Sequence, residues 1–279
     1  MITNVSSRLL IFLFLLQTWS LSASTPQRIV SIAPSFTEIL FALGVGPHVV
    51  GTTNYCDYPS EALKTAKIGD LLNPNIERIV DLHPDLVLLG GWKWQVPEKL
   101  RSVGIRVVEI KDAQNVQDIL DRILFIGAQV GKESEARKIA QNMKTGIDSL
   151  RQRSSALKQK PKVYVELDTG NWTAGSGSYM NEIFQIAGLQ NIFEDRTEAY
   201  LMVTTESIAA RDPDIVLSLA RSTDDFKKSS EWESCRAVRD GSIVDKTGLD
   251  WNAITRQSPR LIDGINSLIE ATNRVLRKK

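Results

Sequence analysis

Histidine and cysteine are scarce in this chain, with two of each in 279 residues. A zinc or manganese site built from side chains wants several His and carboxylates together, so His48 and His83 alone argue against a dedicated metal receptor. His83 falls in a Leu-His-Pro-Asp turn and reads as structural. A His-dependent catalytic triad needs one of these two beside a nucleophile, and neither has that context. Gly175-Ser176-Gly177 is out of step with a nucleophile elbow. The Gly-rich run from Ala174 to Ser178 lacks both the Lys-Ser/Thr ending of a P-loop and dinucleotide spacing. It reads as a turn into a helix capped by Ser178, with amides that a ligand can meet. The census supports no enzyme, no cofactor and no protein-held metal. Cys56 and Cys235 are too few and too far apart for a disulfide framework. A bridge between them stays open, since it requires a close Cα approach.

An excess of either charge is also lacking. Lys+Arg number 34 against Asp+Glu 33, without like-charge blocks, which gives no case for nucleic-acid binding. Past residue 24 no apolar run approaches the roughly 18 residues of a membrane-spanning helix. Residues 1–24 hold one charge, Arg8, then an apolar run over 9–16 and small residues at Ser22-Ala23-Ser24. That is the pattern of a secretory signal peptide, with an uncleaved anchor as the alternative. No Cys adjoins the cleavage point to take a lipid. The expected product is a soluble periplasmic protein.

What is present is a phrase that occurs twice. Residues 76–89 read IERIVDLHPDLVLL and residues 205–218 read TESIAARDPDIVLS. Glu77 precedes Pro84-Asp85 by the same interval as Glu206 precedes Pro213-Asp214, and an apolar run follows each pair. Each copy predicts a short amphipathic helix, a turn at Pro and a buried strand. Two distant copies do not make a solenoid. They suit two similar α/β lobes with a ligand cleft between them.

Strands and helices alternate around the phrase. Strands are expected near 28–33, 49–52, 85–89, 106–110, 162–167, 214–219 and 242–245. Helices are expected from Ser35, opened by a Ser35-x-x-Glu38 capping box, at 178–187 and at 259–276. This alternation predicts parallel sheets covered on both faces. Residues 116–157 have a helical apolar pattern, dented at Gly131. They make one long linking helix or two helices packed on the first lobe. The fold class is therefore α/β, two Rossmann-like lobes joined by a long helix. The expected divisions are signal peptide 1–24, N-terminal lobe 25–115, linking helix 116–157 and C-terminal lobe 158–279.

RIVSIAPSFTEILFALGVGPHVVGTTNYCDYP, followed by NIERIVDLHPDLVL, resembles the cobalamin-binding periplasmic proteins of ABC importers. These belong to the helical-backbone receptors, which also take iron-siderophores, haem and some metals. The likeness extends through GSGSYMNEIFQIAGLQNIF and RQSPRLIDGI to nearly the whole mature chain. It implies a receptor, monomeric when free, that carries cobalamin or a related corrinoid as cargo, not cofactor, to an ABC permease. It also implies that Glu77 and Glu206, one on top of each lobe, dock onto permease arginines. Either Glu alone would also suit a helix N-terminus. Aromatic groups line the cleft in that family, because a large flat ring buries well against rigid rings. By position these are Tyr55, Tyr200 and Trp251, with Arg256 in the same late loop. Trp92 and Trp94 lie near another family Trp, just past the strand end marked by Gly90-Gly91, the edge where ligands bind. Trp172 and Trp232 are assigned to packing or surface. Two departures stand out: Leu71 or Leu72 replaces a family Trp, and the loop 249–257 is longer. A receptor for a ferric siderophore or haem is the alternative, with Tyr55 as a haem ligand. A siderophore would favour a cationic cleft.

Overall fold

The computed structural model describes residues 25–90 and 95–277. The expected signal peptide, Trp92 and Trp94 lie outside the described residues. The first lobe is built on a parallel sheet of β1 (Ile29–Ser31), β2 (Val49–Thr52), β3 (Ala66–Lys67), β4 (Leu86–Gly90) and β5 (Val107–Ile110). Its order is β3-β2-β1-β4-β5, so the winding reverses between β1 and β4. Helices α1 (Pro34–Ala42), α2 (Ile76–Asp81) and α3 (Val96–Ser102) connect the strands.

Two helices follow, α4 (Val116–Gln129) and α5 (Glu133–Ser155). The linking stretch is split because Gly131 takes a φ of 67°, which a helix interior does not hold. The long helix is α5, whose 23 residues span roughly 35 Å. The two helices pack together closely: a Cβ on Gly127 would lie 2.3 Å from the Ala136 Cβ.

In the second lobe β6 (Lys162–Glu166), β8 (Gln190–Asn191), β10 (Ile215–Ser218) and β11 (Ile243–Val244) form a parallel sheet ordered β11-β10-β6-β8. Read from its other edge, that order repeats β2-β1-β4-β5. An antiparallel ribbon joins β7 (Trp172–Ala174) to β9 (Tyr200–Met202). The helices of this lobe are α6 (Tyr179–Ile186), α7 (Thr205–Arg211), α8 (Thr223–Lys228), α9 (Arg236–Arg239), α10 (Trp251–Thr255) and α11 (Leu261–Leu276).

The strands alternate their burial between two cores, as a pleated sheet covered on both faces must. Ile29, Leu86 and Leu88 face a central core shared with Val163, Val165, Ile215 and Leu217 of the second lobe. Ile119, Ile123, Met143, Ile147, Leu261 and Ile265, from α4, α5 and α11, fill the space between. Val30, Val87 and Leu89 face an outer core of the first lobe, and Tyr164 and Val216 an outer core of the second. The lobes thus share one apolar interior, which restricts their relative motion. Among the described residues no helix is long and apolar enough to cross a membrane.

The repeated phrase folds the same way twice. Asn75 and Thr204 cap α2 and α7 with their side chains. His83 and Asp212, each just before its Pro, take the same left-handed φ of 47°. Asp85 then accepts from the backbone N–H of Gln27 and Arg28 at 2.7 and 3.1 Å, and Asp214 from that of Lys162 at 2.8 Å. Each Asp ties the start of its strand to the start of the neighbouring one. The expected capping box at Ser35 does not form. Helix α1 starts at Pro34 after Ala33, and Glu38 turns away to partners in the second lobe. Both cysteines are buried and free, one in each lobe.

Candidate functional site

Between the lobes lies a cavity of about 420 Å³. From the first lobe it is lined by Ala33 to Phe36 after β1, by Gly90 at the end of β4, and by Asp112 to Gln114 after β5. These are the carboxyl ends of strands on either side of the winding reversal, where ligands bind in open parallel sheets. The second lobe contributes Ser178, Tyr179 and Tyr200, with Thr255, Arg256 and Gln257 across the back. Helices α1 and α6 point their N-termini into the cavity from opposite lobes, offering partial positive charge to electronegative ligand atoms. A larger hollow of about 970 Å³ flanks α1, β2 and β3. It gathers neither the strand ends nor the second helix N-terminus, so the interlobe cavity is the candidate site.

Each wall has a local cause. The Gly-rich run at 174–178 brings its backbone against residues 196–199, where a Cβ on Gly175 would stand 2.3 Å from the Glu198 carbonyl oxygen. Its glycines are spent on that contact, and Ser178 caps α6 by accepting from the Met180 N–H. Tyr179 is buried, which pushes its hydroxyl up, so the phenol stays protonated and donates to the Thr255 carbonyl at 3.0 Å. Gln257, in a left-handed conformation, donates to the Ala113 carbonyl at 3.1 Å and accepts from Arg122 at 2.8 Å.

The site residues expected from sequence divide into groups. Tyr200 lines the cavity and is half exposed. Tyr55 is 56 % exposed on the first lobe, beside the site, where its carbonyl accepts from Arg256 at 3.3 Å. Arg256 lines the back, with its guanidinium turned to Glu38 and Asp57. Trp251 does not line the cavity. Only 9 % exposed, its ring belongs to the central core, and its N–H donates to the Asp245 carbonyl at 3.3 Å. Asp250, capping α10, leaves that ring facing inward at the first helical position. Leu71, at the departed Trp position, lines the cavity, and Leu72 beside it is exposed.

Sequence reasoning missed the ribbon. Trp172 pairs with Met202, and Ala174 with Tyr200, so all four share one face, while Thr173 and Leu201 are buried on the other. Trp172 and Met202 therefore extend an exposed surface outward from Tyr200. Tyr200-Leu201-Met202 is apolar throughout and the polar Thr173 is the buried member of its segment, so no polar–apolar alternation marks this face. Trp232, in contrast, is fully buried, edge-on to Phe226 at 4.8 Å.

Glu77 and Glu206 occupy equivalent places, the second residue of α2 and of α7, and both are exposed. The Glu206 carboxyl is held below its usual range by its own backbone N–H and by Thr204. Among the described residues no group of three or more His, Cys, Asp or Glu could hold a metal ion.

A family model described as periplasmic binding protein matches residues 29–247. An uncharacterised ABC transporter substrate-binding lipoprotein, YvrC of Bacillus subtilis, is 32 % identical over 88 % of this chain and 80 % of its own. The vitamin B12-binding protein of Salmonella typhimurium is 29 % identical over 96 % of this chain and 97 % of its own. Among solved structures, a possible iron-binding periplasmic protein from Staphylococcus epidermidis superposes with a TM-score of 0.78 at 29 % identity, covering 88 % of this chain and 98 % of that one.

Proposed function

The chain belongs to the periplasmic binding protein family, a family of receptors and not of enzymes, and on that footing we propose that it captures cobalamin or a related corrinoid and hands it to an ABC importer. The observation that carries this reading is the cleft's aromatic border. Tyr55 stands on one lobe, and Tyr200 with Trp172 on the other, beside a cavity at the carboxyl ends of the first lobe's strands and the N-terminus of α6. The cavity volume falls in the range of small-molecule sites, roughly 300–1,000 Å³. A corrinoid overfills it, so the ring is gripped at one edge and its outer part rests on these exposed faces.

In this reading Tyr55, Tyr200, Trp92, Trp94 and Arg256 meet the ligand, and Trp172 joins them. Trp251 backs the wall from the core. Glu77 and Glu206 dock on permease arginines, each by charge-assisted hydrogen bonds. Residues 1–24 direct export and are removed, and the free receptor is a monomer in the periplasm. Cobalamin is cargo, and no cofactor is required. The shared core keeps lobe movement modest, so affinity comes from ring burial and polar contacts to side amides.

A ferric ligand is the second reading. It is favoured by the likeness to the Staphylococcus protein and by the exposed Tyr55, whose hydroxyl suits an axial haem position. Calorimetry of the mature protein with cyanocobalamin, haem and a ferric siderophore side by side separates them. The proposal expects saturable heat with the corrinoid. Silence with the corrinoid and clear binding of either iron compound would replace it.

A further inference from the structure

The positive charge at the back of the cleft is already engaged. Arg256 is the only cation among the described residues that line the cavity. Its Nη1 donates to Glu38 Oε1 at 3.1 Å and also to Asp57 Oδ1, while Nη2 donates to Asp57 Oδ2 at 3.1 Å. Burial works against the charge on Arg256, but the hydrogen bonds to Asp57 and Glu38 outweigh it and hold the group charged. The same Glu38 accepts from Arg260 Nε and Nη2, both at 3.0 Å, and from Ser258 Oγ at 2.5 Å. Arg260 is in turn shared with Asp250 at 3.1 Å. Asp112 adds a further carboxylate to the cavity wall. Arg256 and Arg260 therefore meet three carboxylates, Glu38, Asp57 and Asp250, while the charge facing Asp112 is that of Arg122.

The two partners of Arg256 differ in freedom. Glu38 has a side chain only 2 % exposed and is fixed by donors from the other lobe, whereas the Asp57 side chain is 49 % exposed. An anionic ligand group approaching Arg256 must displace Asp57 and break a two-point, charge-assisted contact, or else sit beside a carboxylate of like charge. A primary amide needs neither. Its N–H groups suit a carboxylate with lone pairs to spare, such as Asp112 on the cavity wall or Asp57 behind Arg256, and its oxygen suits a helix N-terminus.

We infer that Asp57, backed by Glu38, is a specificity-determining residue that makes this cleft select a large ring with an uncharged, amide-bearing rim over one bearing carboxylates. The inference rests on the corrinoid reading and deepens it. It also differs from a purely structural role. A brace between the lobes, once loosened, weakens every ligand alike, whereas a charge selector changes the ratio between ligands.

The test is equilibrium binding of cyanocobalamin, which is net uncharged, and ferric haem, which carries two propionates. The proteins are the wild type, Asp57→Asn, Asp57→Ser and Asp57→Glu. Removing one negative charge a few ångströms from Arg256 should raise the affinity for haem relative to cyanocobalamin by about tenfold in both neutral variants. Asp57→Glu should restore the wild-type ratio. If wild type binds the corrinoid and the ratio stays within about twofold in Asp57→Asn and Asp57→Ser, the inference is wrong and the receptor reading stands. If wild type prefers haem, both fall.

Discussion

Asp245 shows how one residue links the interior to the cleft. Burial pushes its carboxyl up, but hydrogen bonds from the hydroxyls and N–H groups of Thr247 and Thr223 outweigh that and bring it down to about 2. Its carbonyl holds the ring N–H of Trp251, so it also fixes the loop leading to the back of the cleft. A depressed carboxyl stabilises the fold fully above its unfolded value, about 3.9, and loses that contribution as pH falls toward the folded value. Asp57, held down chiefly by its hydrogen bond from Arg256, acts in the same direction. Replacing Asp245 with Asn should therefore cost about 1 kcal/mol at neutral pH, allowing for solvent screening of a half-buried group. Urea midpoints measured from pH 7 to pH 3 should show the gap to wild type closing below about pH 4. A gap of constant size would mean that the carboxylate charge is not what Thr223 and Thr247 hold.

At the scale of elements, the ribbon β7–β9 depends on backbone approach more than on side chains. A Cβ on Gly175 would meet the carbonyl oxygens of Glu198 and Arg196 at 2.3 and 2.6 Å, with no flexible atom able to yield. Gly175→Ala should lower stability by about 1–3 kcal/mol. It should also weaken cyanocobalamin binding, because the displaced segment carries Tyr200. A melting curve and affinity equal to wild type would remove the ribbon from the site. Much of this scale was legible in sequence. The Pro-Asp turns and the alternating strands follow from local chemistry, whereas the long linking helix expected over 116–157 is in fact two helices, α4 ending at Gln129 before Gly131 turns left-handed. What stayed hidden was non-local. The box motif at Ser35-x-x-Glu38 gave a local partner for Glu38, and the donors that prevail come from residues 256–260. The pairing of Trp172 with Met202 joins segments separated by α6 and β8, and the inward turn of Trp251 is set by core packing. Neither leaves a periodic trace.

At the scale of the molecule, two related lobes flank a central layer of helices and share its core, so the spacing between their outer features is held by packing and not by a flexible hinge. Glu77 and Glu206 are such features, at matching positions on duplicated helices, which suits a permease of two-fold symmetry. They belong to α2 and α7, and neither lines the cavity. The account's central claim is that one face of this molecule takes the ligand while two matched carboxylates deliver it. The most direct measurement is vitamin uptake in cells that hold the cognate permease but make only the Glu77→Arg, Glu206→Arg receptor, set beside the affinity of that purified receptor for cyanocobalamin. The account predicts that uptake is abolished while the dissociation constant stays within about twofold of wild type. Undiminished uptake, or an affinity that collapses along with it, would contradict the account.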